Sequence, residues 1–287
     1  MAQLVELAKE LLESGKVSLI IGYTAKGDNA TYPFIAYTAA EAEKLVFNHH
    51  CVNNLSVYIN RLDIPEAGKI GIVVKGCDAR ALSMLIQESQ IKRENVLIIG
   101  VNCNGVVKDV EMEWKKENVA PKCAVCEVRT PKLYDELIGT LEDFEKPDPT
   151  AMQIIAKIEA MTPKERWAFW QNEFDKCIKC YACRQVCPLC YCDRCIVDEN
   201  TPQWIETSAT ARGNFSWNII RALHQSGRCV GCGECSRVCP MGIPIGVLNM
   251  KMNMIGMSEF GFKPGMDINE PTLVGSYKFD DKENFIR

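Results

Sequence analysis

Residues 177–188 read Cys-Ile-Lys-Cys-Tyr-Ala-Cys-Arg-Gln-Val-Cys-Pro, and residues 229–240 read Cys-Val-Gly-Cys-Gly-Glu-Cys-Ser-Arg-Val-Cys-Pro. Both copies satisfy CxxCxxCxxxCP, a pattern too specific to arise twice by chance. In each copy three thiols sit on one tight turn and a fourth follows where a helix opens. A proline then keeps the chain from folding back over them. The arrangement is that of a ligand shell, and the rest of the chain has to fold around it.

Three thiolates on such a turn reach three corners of a [4Fe–4S] cube, while the fourth points away toward a second cube. By that rule Cys177, Cys180, Cys183 and Cys239 hold one cluster, and Cys229, Cys232, Cys235 and Cys187 hold the other. Gly231 and Gly233 keep side chains off the second cube. Two zinc sites are the competing reading. Zinc takes four ligands, usually from two CxxC pairs, and has no use for a triple turn followed by proline.

The chain carries 16 cysteines in 287 residues. A disulfide scaffold of that density is normally a short secreted chain. The N-terminus, Met1-Ala-Gln-Leu-Val-Glu-Leu-Ala-Lys-Glu, has no basic segment followed by an apolar one, so no signal peptide is expected. A cytoplasmic metalloprotein is therefore expected. No apolar run approaches the roughly 18 residues that span a bilayer, and no membrane span is expected. The formal net charge of −4 gives no support to nucleic-acid binding, which goes with a basic excess or stripe.

Eleven cysteines fall between Cys177 and Cys239, whereas Cys51, Cys77, Cys103, Cys123 and Cys126 lie in the first half. Between the groups, Leu141 to Thr150 holds two prolines and four acidic residues, the composition of a linker. The expectation is an α/β domain over 1–145 and a mainly α-helical domain with two [4Fe-4S] clusters over 146–287, ending in an extended tail after Gly261. Leu4–Leu12 has helical spacing and ends near Gly15. Val17–Gly22, Ile70–Val74 and Val96–Val101 read as buried strands of a parallel sheet. With a helix over Asp78–Gln90, the last two form a βαβ unit. Thr162, Pro163 and Glu165 give a capped helix start. Asn214–His224 and Ile245–Met257 also read helical.

The interval from Cys187 to Cys229 is too long for a compact bacterial ferredoxin. Over about residues 165–250 the chain resembles the α-helical dicluster ferredoxin modules of heterodisulfide reductase and succinate dehydrogenase iron–sulfur subunits. Two further motifs, Cys187-Pro-Leu-Cys-Tyr-Cys and Val74-Lys-Gly-Cys-Asp-Ala-Arg-Ala-Leu, with the strand end Ile99-Gly-Val-Asn-Cys103, resemble the beta-subunit family of deazaflavin-reducing hydrogenases, formate dehydrogenases and sulfhydrogenases. The resemblance implies an iron–sulfur electron-transfer subunit of an anaerobic multi-subunit oxidoreductase. It would relay single electrons between a partner catalytic subunit and another carrier. The implied partners are other subunits of a hydrogenase, formate dehydrogenase or heterodisulfide-reductase-like complex. The alternative is a catalytic beta subunit that binds FAD and exchanges electrons with a deazaflavin. A scaffold holding clusters transiently is a third class, disfavoured by two complete motifs.

In the light of that resemblance, Cys77, Cys103, Cys123 and Cys126 form a further [4Fe-4S] site, because the first two end adjacent parallel strands, where ligands gather. The competing reading makes them small buried hydrophobes or zinc ligands. Cys51 is a fifth candidate there. With Cys190, Cys192 and Cys195 it would otherwise complete a fourth cluster; the bland reading packs those three beside the first cube. Lys75, Asp78 and Arg80 flank Cys77 and suit an anionic flavin or cluster tuning, against a default of plain solvation. Met241, Met250, Met252, Met254 and Met257 suit an adaptable docking face, against a default of helix core. Lys176, Lys179, Arg184, Arg228 and Arg237 lie in or beside the motifs, as potential-raising cations or as plain surface charges. His49, His50 and His224 show no zinc spacing, and no Gly-rich phosphate loop is present.

Overall fold

Isoleucine and valine runs flanked by glycine form the strands of the first half. A computed structural model describes residues 2–27, 30–62, 68–141 and 153–281; most of the expected linker lies outside them. The chain divides into two compact units, Met1–Gln153 and Ile154–Arg287.

In the first unit, α1 (Ala2–Glu13) precedes β1 (Val17–Lys26) and β2 (Ala30–Ala36), followed by a short α2 (Ala39–Ala42). Then come β3 (Lys69–Val74), α3 (Gly76–Gln87), β4 (Val96–Val101), a short α4 (Pro121–Ala124) and β5 (Glu136–Ile138). One sheet results, in the order β2-β1-β3-β4-β5. The β1–β3, β3–β4 and β4–β5 pairs are parallel, but β2 runs antiparallel to β1, so the sheet is mixed rather than purely parallel. Pro33 lies in β2 and has no N–H to give a ladder, and β2 is an edge strand, where proline is tolerated.

Ile20, Ile21, Ile70, Ile72, Ile98 and Ile99 are fully buried, with Ala81, Leu82, Met84 and Leu85 of α3. Each such large side chain contributes about 1.5–3 kcal/mol on burial. The parallel order leaves the C-terminal ends of β3 and β4 side by side, since Val74 pairs with Gly100. Cys77 and Cys103 follow those ends.

The described residues of the second unit form helices and no strand: α5 (Gln153–Glu159), α6 (Pro163–Asp175), α7 (Ala182–Gln185), α8 (Ala211–His224), α9 (Glu234–Arg237) and α10 (Ile245–Phe260). Thr162 caps α6, accepting from the Glu165 N–H, while the Glu165 carboxylate accepts from the Thr162 N–H at 2.8 Å. The core gathers Trp170, Phe174, Trp217, Ile243 and Ile245 around Cys183 and Cys235. Phe174 stacks on Trp170 at 5.4 Å and meets Phe215 edge-on at 5.9 Å. After Gly261 the described chain runs without helix or strand, and Leu273 lies against Gly227 and Gly256.

The methionines depart from the core expectation. Met241, Met254 and Met257 are exposed, and Met250 and Met252 only half-buried. The buried residues of α10 are instead Ile245, Asn249 and Gly256. Helical period alone does not say which face is inward when polar residues such as Asn249 occupy it. No described helix is long and apolar enough to cross a membrane.

Candidate iron–sulfur sites

The two motifs fold alike. Tyr181 and Gly233 occupy equivalent positions before α7 and α9, and both take the left-handed conformation, with φ 55° and 71°. Lys179 and Gly231, two residues earlier, match in the same way at φ 57° and 72°. Left-handed residues in such turns aim successive backbone N–H groups into one concavity, the shape that receives anions and iron–sulfur clusters. Glycine adopts this conformation freely, and Lys179 and Tyr181 adopt it at a cost. Tyr181 recovers part of that cost by packing edge-on against Trp217 at 5.1 Å.

Short helices α7 and α9, which carry Cys183 and Cys235, pack together. Burial pushes the Cys183 thiol up to about 11, and its charge neighbours after Arg221 are Cys235, Cys177 and Cys239. Cys229 is pushed up to about 12, by burial first and by Cys235 and Cys187 in part, while the Gly231 N–H acts against it. Thiols of the two motifs thus intermingle: Cys235 and Cys239 of the second act on Cys183 of the first, and Cys187 of the first acts on Cys229 of the second. Cys180 and Cys232 sit mid-turn, and of the eight thiols Cys180 alone is exposed.

Between the motifs runs α8, whose inner face carries a polar stripe that sequence reasoning did not single out. Asn214, Asn218, Arg221 and Gln225 are all buried, at 1%, 1%, 3% and 3% exposure. Asn214 Nδ2 donates to the Cys177 carbonyl at 2.8 Å, Arg221 Nη2 to the Cys183 carbonyl at 3.1 Å, and Gln225 Nε2 to the Leu189 carbonyl at 3.2 Å. Burial opposes the Arg221 charge, but Cys187, Cys235, Cys190 and Cys183 around it outweigh that and hold its pKa above the ordinary arginine value. Spacing of i, i+4, i+7 and i+11 was the available signal: polar residues at helical period inside an iron–sulfur module mark an inward face.

The sequence-level cations fare differently. Lys176 pairs with Glu173 at 2.6 Å, Arg184 with Asp198 at 2.9 Å and Arg237 with the buried Glu234 at 2.7 Å, so their charges are locally balanced. Lys179 donates to the Glu206 carbonyl at 2.8 Å, and Arg228 lies 5.6 Å over the Tyr191 ring. Cys190 adjoins Cys187, whose hydrogen bond is the main influence holding its pKa down. Cys195 packs on the core cluster, and Cys192 is exposed.

A second group of thiols forms at the sheet's C-terminal edge. Cys77 is pushed well above the ordinary thiol range, by burial first and Asp78 next, with Cys103 adding to the push. Cys103 rises to about 11, by burial first, with Cys123 and Cys126 adding to it. Cys77, Cys103, Cys123 and Cys126 are thereby linked as neighbours. Gly76 permits this: a Cβ there would sit 1.9 Å from the Val128 carbonyl oxygen, so only glycine lets the 126–129 segment close on α3. Arg129 donates to the Cys123 carbonyl at 2.8 Å.

Cys51 stands apart from this group. It is fully buried and accepts from the Asn48 N–H at 3.3 Å. The groups that act on it most are Asn48, Lys75, Thr31 and Asp78, with no thiol among them. His49 and His50 are each tied by Nδ1 to a backbone carbonyl, those of Gly105 and Val110, at 3.0 Å. Lys75 and Asp78 correct the expectation of solvated charges: at 2% and 0% exposure they form a buried ion pair. Lys75 Nζ also donates to the Tyr23 hydroxyl and, at 2.7 Å, to the Asn53 carbonyl.

Among the described residues no three His, Cys, Asp or Glu side chains converge as one metal ion would require. A cube asks for something else: thiolates spread over four corners, N–H donors aimed inward and balancing positive charge. The paired thiol sets, the left-handed turns and the buried Arg221 fit that requirement.

A family profile described as a 4Fe-4S dicluster domain matches residues 176–244. The F420-dependent formate dehydrogenase subunit beta of Methanocaldococcus jannaschii is 26% identical, over 71% of this chain and 76% of that protein. The F420-dependent formate dehydrogenase 1 subunit beta of Methanococcus maripaludis is also 26% identical, over 94% of this chain and 92% of that protein. The chain therefore matches a 4Fe-4S dicluster domain over residues 176–244 and is similar, along most of its length, to formate dehydrogenase beta subunits.

Proposed function

We propose that this chain is an iron–sulfur electron-transfer subunit of an oxidoreductase complex, carrying single electrons between a catalytic partner subunit and another redox carrier. What supports the reading is the packing of α7, which carries Cys183, against α9, which carries Cys235, within the stretch 176–244 that matches a 4Fe-4S dicluster domain. The similarity to formate dehydrogenase beta subunits supports it and favours a complex of that kind. When bound, each [4Fe–4S] cluster supplies reversible one-electron transfer.

The chain's own residues do the rest. In the helical domain, Cys177, Cys180, Cys183 and Cys239 hold one cluster, and Cys229, Cys232, Cys235 and Cys187 the other. Cys77, Cys103, Cys123 and Cys126 hold a third in the α/β domain. Backbone N–H groups at Gly231, Leu189 and Gly105 stabilise the thiolates of Cys229, Cys187 and Cys103. Asn214 and Arg221 fix the first motif's backbone through the Cys177 and Cys183 carbonyls.

A second reading is favoured by the relatives' names, which state F420 dependence. In it the α/β domain binds flavin and exchanges two electrons with a deazaflavin, making the chain a catalytic subunit. Anaerobic purification with iron and acid-labile sulfide assays and an absorption spectrum tests both. Three clusters' worth of iron without flavin is the expected result. Iron for two clusters sinks the α/β-domain site, and stoichiometric flavin promotes the second reading.

A further inference from the structure

Arg221 is an unusual charge. Its guanidinium is 3% exposed, and among the described residues it forms no ion pair with a carboxylate. A guanidinium does not deprotonate in proteins, and burying one uncompensated costs several kcal/mol. Among the described residues its one oxygen acceptor is the Cys183 carbonyl, which takes Nη2–H at 3.1 Å. Nε and Nη1 are buried without an oxygen acceptor, and the guanidinium's other hydrogen-bonding neighbour is the Cys190 thiol.

Its surroundings explain the arrangement. Its Nη2 holds the Cys183 carbonyl of one proposed ligand set, and one helical turn on, Gln225 accepts from the Cys187 thiol of the other at 3.7 Å, so the guanidinium lies between the two sets. Compensation therefore has to come from thiolate and sulfide charge on both sides. We infer that Arg221 is the shared counter-charge of the two iron–sulfur sites, with Nε and Nη1 donating to cluster or thiolate sulfur, and that it raises the reduction potentials of both. The inference rests on the proposed ligation of two clusters by the two motifs. Its physical basis is that reduction adds negative charge, which a buried cation stabilises, and that hydrogen bonds to sulfur do the same. A purely structural Arg221, present only to tie the Cys183 carbonyl, would leave the potentials alone.

The test uses the full chain, purified anaerobically with whatever subunits accompany it. Arg221→Met removes charge and donors at similar volume. Arg221→Lys keeps the charge and loses the planar fork. Iron and sulfide are assayed first, then potentials by redox titration followed by electron paramagnetic resonance. In Arg221→Met the reduced-to-oxidised ratio of both clusters at a fixed poise should fall at least tenfold, a 59 mV shift for one electron. Arg221→Lys should fall by less, in both clusters.

Unchanged potentials in Arg221→Met, or a shift in one cluster only, overturn the shared role. If Arg221→Met loses iron, Arg221→Lys decides. A fall in both potentials supports the inference, wild-type potentials overturn it, and loss of iron with the charge still present assigns Arg221 to fold maintenance. A wild-type chain without two clusters would instead count against the ligation reading itself.

Discussion

Lys75 and Asp78 close an ion pair at 2.9 Å in the turn between β3 and α3, and neither side chain reaches solvent. The Asp78 carboxylate also accepts from the Lys75 backbone N–H at 2.9 Å. The turn that delivers Cys77 is thus fixed by charge at both backbone and side-chain level. Removing one partner of a buried pair costs about 3–5 kcal/mol because the other charge is stranded. Lys75→Met should therefore speed hydrogen exchange of the β3 amides by at least hundredfold, as each 1.4 kcal/mol is tenfold. Exchange at the wild-type rate would mean the pair does not fix this turn.

Gly76→Ala should cost the α/β domain its cluster. The added methyl would meet the Val128 carbonyl at 1.9 Å, and either that segment or α3 must move. Iron per chain should fall by one cluster's worth, with the electron paramagnetic resonance signals of the helical-domain clusters retained. Full iron content would show that the 126–129 segment does not need this approach.

Cysteine exchanges separate the α/β-domain thiols. Cys77→Ser and Cys103→Ser should each lose one cluster's worth of iron. Cys51→Ser should keep it, since Asn48, Thr31 and Lys75 rather than the other thiols surround Cys51. Iron loss from Cys51→Ser alone would reverse the assignment.

Much of this was legible in the sequence, and for identifiable reasons. The duplicated cysteine pattern fixes ligand spacing by covalent geometry, and the β-branched runs of β1, β3 and β4 are continuous enough to read without context. Strand β2 was hidden because Pro33 argues against a strand unless the strand is known to lie at an edge. The polar stripe of α8 was hidden because Asn214, Asn218 and Arg221 resemble a solvated face until both neighbouring sets of thiols are placed. Lys75 misled in the same way: a charge opening a helix is ordinarily solvated, and only the tertiary positions of Tyr23 and Asn53 bury it. The methionines of α10 erred in the other direction, apolar yet outward.

The capping of α6 gives a further check. Thr162→Ala removes the acceptor for the Glu165 N–H and should cost about 1 kcal/mol, seen as roughly fivefold faster exchange in the first turn of α6 alone. A change spread over the whole domain would mean the cap does more than end a helix.

Gly231→Ala probes the backbone conformation of the second motif's turn, where a Cβ meets no protein atom within 4 Å. The left-handed φ of 72° should by itself cost about 1–2 kcal/mol, visible as a lower midpoint of thermal cluster bleaching. An unchanged midpoint would show that the turn relaxes freely.

The exposure of Cys180, unique among the eight thiols of the two CxxCxxCxxxCP motifs, sets an expected order of decay. Oxidants and chelators attack where sulfur meets water, so on the proposed ligation the cluster held with Cys180 should be dismantled first and the one held with Cys187 and Cys229 should outlive it. A partly spoiled preparation should then be a mixture in which many molecules lack one of the proposed relay centres. Its colour persists after through-conduction has gone, and absorbance overstates the fraction of working molecules.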